Sequence, residues 1–191
     1  MSTLKVNKII PTAGVPTGGG GGIVQIKMNS DTTTTGSVSC SSKSTHYDVP
    51  NLNVTITPTT NTSKILVSFN LTGEGSQATH RISFRIKRSI SGGGTTYIQG
   101  NASGSRIPCV TLPSEPYHNE DSNSTLETAS FVNYLDSPST TSAVTYTVQV
   151  RFHEDNSQTW YYNRTVSNSN NEAAEIGISL ITAMEVSAWA H

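Results

Sequence analysis

Charge is scarce in this chain. Only 13% of its residues are charged and the net charge is −1, so the basic excess that a polyanion-binding surface requires is missing. No nucleic-acid partner is expected. Long apolar runs are missing as well. A membrane span takes about 18 or more consecutive apolar residues, and no such run exists, so no membrane insertion is expected. The start, Met1-Ser2-Thr3-Leu4-Lys5-Val6, lacks the apolar block of a signal peptide, which predicts a soluble protein outside the general secretory route. Cysteine occurs twice, at Cys40 and Cys109, and neither belongs to a CxxC pair, so a zinc or redox motif has no support. A disulfide between them would suit an oxidising medium; two reduced thiols would suit assembly in a reducing cytoplasm, which is the expectation here.

Ser, Thr and Asn fill the space, at roughly a third of all residues, far above the usual share. Their short polar side chains compete for backbone hydrogen bonds and disfavour helix interiors, while the branched Cβ of Thr suits strands. Period-2 patterns recur. Leu52, Val54 and Ile56 alternate with polar residues, as do Ile65, Val67, Phe69 and Leu71 with Leu66, Ser68 and Asn70. Ile82, Phe84 and Ile86 face one way while Arg81, Ser83, Arg85 and Lys87 face the other. Val144 to Phe152 is the longest one-sided strand, and Trp160 with Tyr162 fits another. Ile23 to Met28, Thr95–Gln99 and Phe131–Leu135 read as further strands. The closing run holds Ile176, Ile178, Leu180, Met184 and Val186, with Ile181 and Ala183 giving it a second apolar face; one face would meet the core and the other neighbouring subunits. Turn residues punctuate these runs: Pro58 with Asn61, Gly73-Glu74-Gly75, Gly92 to Gly94, Ser137-Pro138 and Asp155-Asn156. His153-Glu154-Asp155 reads as a hairpin turn. Residues 101–130 are polar, contain Pro108, Pro113 and Pro116, and show little periodicity, as a functional excursion would. The predicted fold is all-β, a jelly-roll-like antiparallel sandwich over residues 23–191.

Residues 1–22 differ. Leu4, Val6, Ile9 and Ile10 are apolar and spaced by Lys5, Asn7 and Lys8, an alternation suited to an extended strand that docks on another protein. Pro11, Pro16 and five glycines, Gly18 to Gly22, follow. No Gly-Lys-Ser/Thr comes after them, so the run predicts a flexible linker and not a phosphate loop. The segment reads as an anchor peptide joined loosely to a β domain.

Several segments together carry a resemblance. These are Ser2-Thr3-Leu4-Lys5-Val6-Asn7-Lys8-Ile9, the glycine run before Ile23-Val24-Gln25-Ile26, Thr59 to Val67, Tyr134-Leu135-Asp136-Ser137-Pro138, and Ile181-Thr182-Ala183-Met184-Glu185-Val186. They resemble tail-fibre-like structural proteins of marine and freshwater tailed bacteriophages. The resemblance implies a head similar to the tumour-necrosis-factor and C1q jelly rolls, a homotrimer, and a place in the virion after assembly in the bacterial cytoplasm. It implies docking on other virion proteins through Leu4, Val6, Ile9 and Ile10, with loops turned toward a host surface glycan or protein. The chain departs from long fibres in having no shaft repeat. A capsid decoration protein, without a host ligand, is therefore the alternative expectation.

Chemistry has little to stand on. His46, His80, His118, His153 and His191 are scattered and belong to no nucleophile motif, and no pattern selects two of the many carboxylates for work on a sugar. No enzymatic activity and no cofactor are expected. Glu115, His118, Glu120 and Asp121 crowd one stretch, but calcium-loop spacing is absent, so a solvated polar loop is preferred to a metal site. Arg81, Arg85 and Lys87, with Arg88 beside them, could meet an anionic ligand or acidic neighbours, though a solvated strand face is the simpler expectation. Ligand recognition is placed on exposed aromatic rings, Tyr97, Tyr117 and Tyr161 first and Trp189 after them, because amphipathic rings give large contact area at low entropy cost. Tyr161 points outward if Trp160 and Tyr162 point inward.

Overall fold

Alternation at period 2 becomes ten antiparallel strands in a computed structural model of the chain, which describes residues 22–76, 81–114, 124–153, 156–172 and 174–186. The strands are β1 (Ile23–Asp31), β2 (Ser37–Cys40), β3 (Tyr47–Ile56), β4 (Lys64–Gly75), β5 (Ile82–Ile90), β6 (Thr95–Ile98), β7 (Glu127–Asp136), β8 (Val144–Phe152), β9 (Gln158–Tyr162) and β10 (Ser179–Val186). They form two sheets, and there is no α-helix among the described residues. One sheet runs β3-β8-β5-β6. The other runs β1-β10-β4-β9-β2, with β7 also on β4. β4 manages three partners through its length. β10 takes Lys64 to Asn70 and β9 takes Gly73 to Gly75 along one edge; β7, which overlaps both, must hold the other. The expected jelly-roll-like sandwich is the observed fold.

The core lies between the sheets. From the six-stranded sheet come Ile65, Val67, Phe69 and Leu71 of β4, Trp160 of β9, and Ile181 and Ala183 of β10. From the other come Leu52, Val54 and Ile56 of β3, Ile82, Phe84 and Ile86 of β5, and Val144, Tyr146, Val148, Val150 and Phe152 of β8. Phe84 meets Trp160 edge to face across the gap, with ring centroids 5.1 Å apart and planes at 77°. Ser83 is also fully buried, on the opposite side of β5, where His153 Nε2 lies 3.1 Å from its hydroxyl.

Irregularities sit where the chemistry requires them. The β3–β8 register breaks between Asp48 and Asn53, and the break contains Pro50, which has no N–H to give a ladder, and Asn51 at φ 62°. Asn29 of β1 donates its amide to the carbonyls of Asn51 (2.7 Å) and Asn53 (3.0 Å), tying this bulge to the facing sheet. A second bulge, in β7, lies between its pairings to Val67 and Phe69; Asn133 there has φ 59° and its N–H reaches Ser68 Oγ at 2.9 Å.

The structure corrects four expectations. β2, with Val38 as its apolar anchor, was not foreseen. β10 begins at Ser179, so Ile176 and Ile178 lie outside it and are 67% and 54% exposed. The segment from β8 to β9 is no hairpin, because those strands belong to different sheets and the chain crosses between them. Arg88 does not share a face with Arg85 and Lys87. It points into the sandwich and pairs with Asp136 of the facing sheet at 2.6 Å. The polar excursion is also held at both ends. Phe84 N donates to Thr111 O, Val110 N donates to Phe84 O, and Ser114 and Thr128 exchange two backbone bonds.

Candidate functional site

The two outer faces of the sandwich differ in chemistry. On the four-stranded sheet, register places Lys87 beside Tyr97 and Thr147, and Arg85 beside Gln149, which in turn lies beside Asp48. These side chains interlock. Lys87 pairs with Asp48, and Gln149 donates to the other Asp48 oxygen at 2.7 Å. Arg85 donates to Gln149 Oε1 at 2.7 Å and to Gln99 Oε1 at 3.0 Å. Its guanidinium also lies 3.7 Å from the centre of the Tyr97 ring, a cation–π contact that takes one face of that ring. Tyr97 is 46% exposed, so part of its surface stays open to solvent. This face offers an aromatic ring, cations and amides at fixed positions.

On the six-stranded sheet one row of the outer face is apolar. Ile26 of β1 lies opposite Met184 of β10, Met184 opposite Leu66 of β4, and Leu66 opposite Leu135 of β7. Four apolar side chains from four strands therefore stand in one row. Ile26 is 54% exposed, Leu135 53%, and Met28 next to the row 65%. The second apolar face of β10 is thus real and looks outward: Leu180, Met184 and Val186 are half-buried, while Ile181 and Ala183 are buried inside. Polar residues normally alternate outward on such a strand.

No protein-family model matches the chain, and no curated protein is significantly similar to it. The site therefore rests on its own geometry.

Tyr161 points outward, as the inward burial of Trp160 and Tyr162 requires, but from β9 and so from the six-stranded sheet. The Arg164 guanidinium covers it at 4.2 Å. Tyr97 and Tyr161 consequently stand on opposite faces of the sandwich and do not serve one ligand. Tyr117 and Trp189 lie outside the described residues. So do Leu4, Val6, Ile9 and Ile10, and the Glu115, His118, Glu120 and Asp121 group. Among the described residues no cluster of three His, Cys, Asp or Glu side chains could hold a metal ion. Cys40 and Cys109 are unpaired, and burial pushes the Cys40 thiol up to about 12.

Among the buried carboxylates one is wholly enclosed, and nothing in the sequence singled it out. Glu185 is inaccessible to solvent and points inward from β10. It accepts from Gln25 Nε2 (2.6 Å), Thr59 N (2.7 Å), Thr59 Oγ1 (2.6 Å) and Ser63 Oγ (2.6 Å). Burial pushes its pKa up, but the bonds from Ser63, Thr59 and Gln25 outweigh this and hold it below the usual carboxylate value. With every contact a donor, Glu185 acts as a fastener between β1, β10 and the 57–63 loop. His46 and Arg151, on the polar face, were likewise not singled out. The alternation of β8 around Val150 and Phe152 puts Arg151 outward, but its neighbours depend on register, which sequence does not supply.

Proposed function

We propose that this chain is a non-enzymatic virion structural protein of a tailed bacteriophage, a homotrimeric tail-fibre or receptor-binding subunit. It docks on other virion proteins through residues 1–10 and turns loops and a polar sheet face toward a host surface glycan or protein. The observation that carries this reading is the in-register apolar row Ile26–Met184–Leu66–Leu135 on one outer face, set against the interlocked polar face bearing Tyr97 on the other. An exposed apolar stripe of this kind marks an interaction surface. A closed symmetric oligomer buries it without leaving open ends. Several copies then multiply weak contacts to the host surface.

Competition with phage adsorption tests the proposal. The purified full chain should sediment as a trimer, bind host cells saturably and block adsorption. A chain lacking residues 1–10 should still trimerise and bind cells but should not join particles. A folded trimer that binds no host cell would overturn the receptor role in favour of capsid decoration. Incorporation of the truncated chain at full occupancy would remove the docking role of Leu4, Val6, Ile9 and Ile10.

A further inference from the structure

Among the described residues, Arg151 on the polar face has no ion pair, and Arg85 has only the shared Asp48 as a nearby counter-charge. Arg85 and Arg151 stand on the outer side of neighbouring strands, Arg151 opposite Ser83 and Arg85 two residues further along β5. Tyr47 pairs with Val150, which sets His46 beside Arg151 in the same register. Among the described residues Asp48 is the carboxylate near Arg85, and it is already engaged by Lys87 and Gln149. Both hydrogen bonds of Arg85 go to neutral amides. Arg151 makes no hydrogen bond or ion pair to any described residue, and its Nε is buried; His46 Nε2 is likewise buried without a partner.

That arrangement is costly as it stands. Partly buried charges are normally paired, and buried donors normally bonded. Burial lowers the pKa of Arg85 and of Arg151; Tyr97 and Asp48 offset part of this at Arg85, and Arg151 repels it further. Burial, then Arg85, Arg151 and His153, hold His46 down at about 3, so it stays neutral at physiological pH. An anion seated here would relieve the repulsion and accept from the idle donors. Arginine's planar fork is suited to the two oxygens of a carboxylate or phosphate.

We infer that Arg85 and Arg151, with His46 beside them, form an oxyanion site for a carboxylate- or phosphate-bearing saccharide, with Tyr97 as the ring at its rim. The oxyanion follows from these residues alone. The saccharide rests on the receptor-binding reading and on the open surface of Tyr97 next to Arg85.

The test is calorimetric titration of the full chain at low ionic strength with glucuronate, inorganic phosphate and acetate, and with glucose as the neutral control. Glucuronate and phosphate should compete for one site, glucose should not bind, and glucuronate should bind more tightly than acetate. Arg151→Gln should weaken both anions at least tenfold. Arg151→Lys, which keeps the charge and loses the fork, should weaken them less. Lys27→Gln removes one positive charge from the other sheet and should change nothing. Because Arg151 has no hydrogen-bond or ion-pair partner among the described residues, Arg151→Gln should keep the anion-free unfolding temperature while losing the rise that phosphate gives the parent chain. No saturable anion binding, or equal weakening by Lys27→Gln and Arg151→Gln, would overturn the site. Acetate binding as tightly as glucuronate would overturn the saccharide alone. Adsorption is read separately: an Arg151→Gln chain that no longer binds glucuronate yet blocks adsorption fully leaves the proposed function standing and rejects this site as its receptor contact.

Discussion

At the scale of single residues, buried polar groups decide more than their number suggests. Glu185 accepts four hydrogen bonds, two of them from the Thr59 amide and the Gln25 side-chain amide, which can only donate here, so the ionised form suits the site best. Its folded pKa is depressed, so it binds a proton less readily in the folded chain than in the unfolded one. The stability it contributes is therefore complete above the unfolded value, about 4.3, and is lost as pH falls through the lower folded value. Urea unfolding should show the parent chain losing more stability between pH 5 and pH 3 than Glu185→Gln does; equal losses would remove Glu185 as the acid-sensitive group. Glu185→Ala should cost about 3 kcal/mol at pH 7, since it strands the Thr59 amide and two hydroxyls. Gly36 is sensitive for a steric reason. A Cβ there would lie 2.0 Å from the Tyr162 ring, which packs directly over the glycine. Gly36→Ala must push that ring away from β9 and should cost about 2 kcal/mol by the same measurement.

At the scale of elements, the sheets are joined by packing, by the Asn29 amide and by a polar clasp at Asp136. Asp136 at the end of β7 accepts from Arg88 of β5 at 2.6 Å and from the Tyr146 hydroxyl of β8 at 2.7 Å. Burial and the nearby Asp136 charge raise the Tyr146 pKa, so the phenol stays protonated and remains a donor. Tyr146→Phe removes one bond and leaves the ion pair, and should cost about 1–2 kcal/mol. Asp136→Asn leaves Arg88 charged against the core and should cost about 3 kcal/mol. If the two losses were equal in urea unfolding, the ion pair would contribute nothing beyond the phenol bond. The elements also show what was legible beforehand. β4, β5 and β8 were readable because each keeps its apolar set on one face for the length of the strand. β2 was not, because four residues with Val38 as the apolar anchor become a strand only by pairing with β9, more than a hundred residues away. The even position of Arg88, with Phe84 and Ile86, places it inside and apart from Arg81, Arg85 and Lys87, but its partner Asp136 is fixed only by tertiary pairing. The outward direction of Arg85 and Lys87 was readable from alternation. Their meeting with Arg151 and Asp48 was not, because register between distant strands is set by tertiary pairing.

At the scale of the whole molecule, the two outer faces make opposite demands on solvent. The polar face satisfies most of its groups internally and can stay wet. The apolar row Ile26–Met184–Leu66–Leu135 crosses four strands with no charge in it, and it stays half-open in the single chain. Met184 sits inside that row and is half-buried, so its replacement separates folding from association. As an isolated chain, Met184→Lys can carry its ammonium into water while its stem lies along the sheet, and stability should change by less than about 1 kcal/mol. In an assembled trimer the same ammonium would be trapped against apolar side chains without a partner. That should cost about 3 kcal/mol, a factor of roughly 100 in association. Sedimentation of the full chain over a range of concentrations reads the difference. The parent should remain trimeric at concentrations where Met184→Lys is monomeric, with closely similar unfolding curves once the association contribution is removed. Lys27→Gln, a polar change outside the row, should leave the assembly intact. If Met184→Lys remained trimeric at every concentration, the apolar row would lie outside the subunit contact, and the trimer would have to close through another surface.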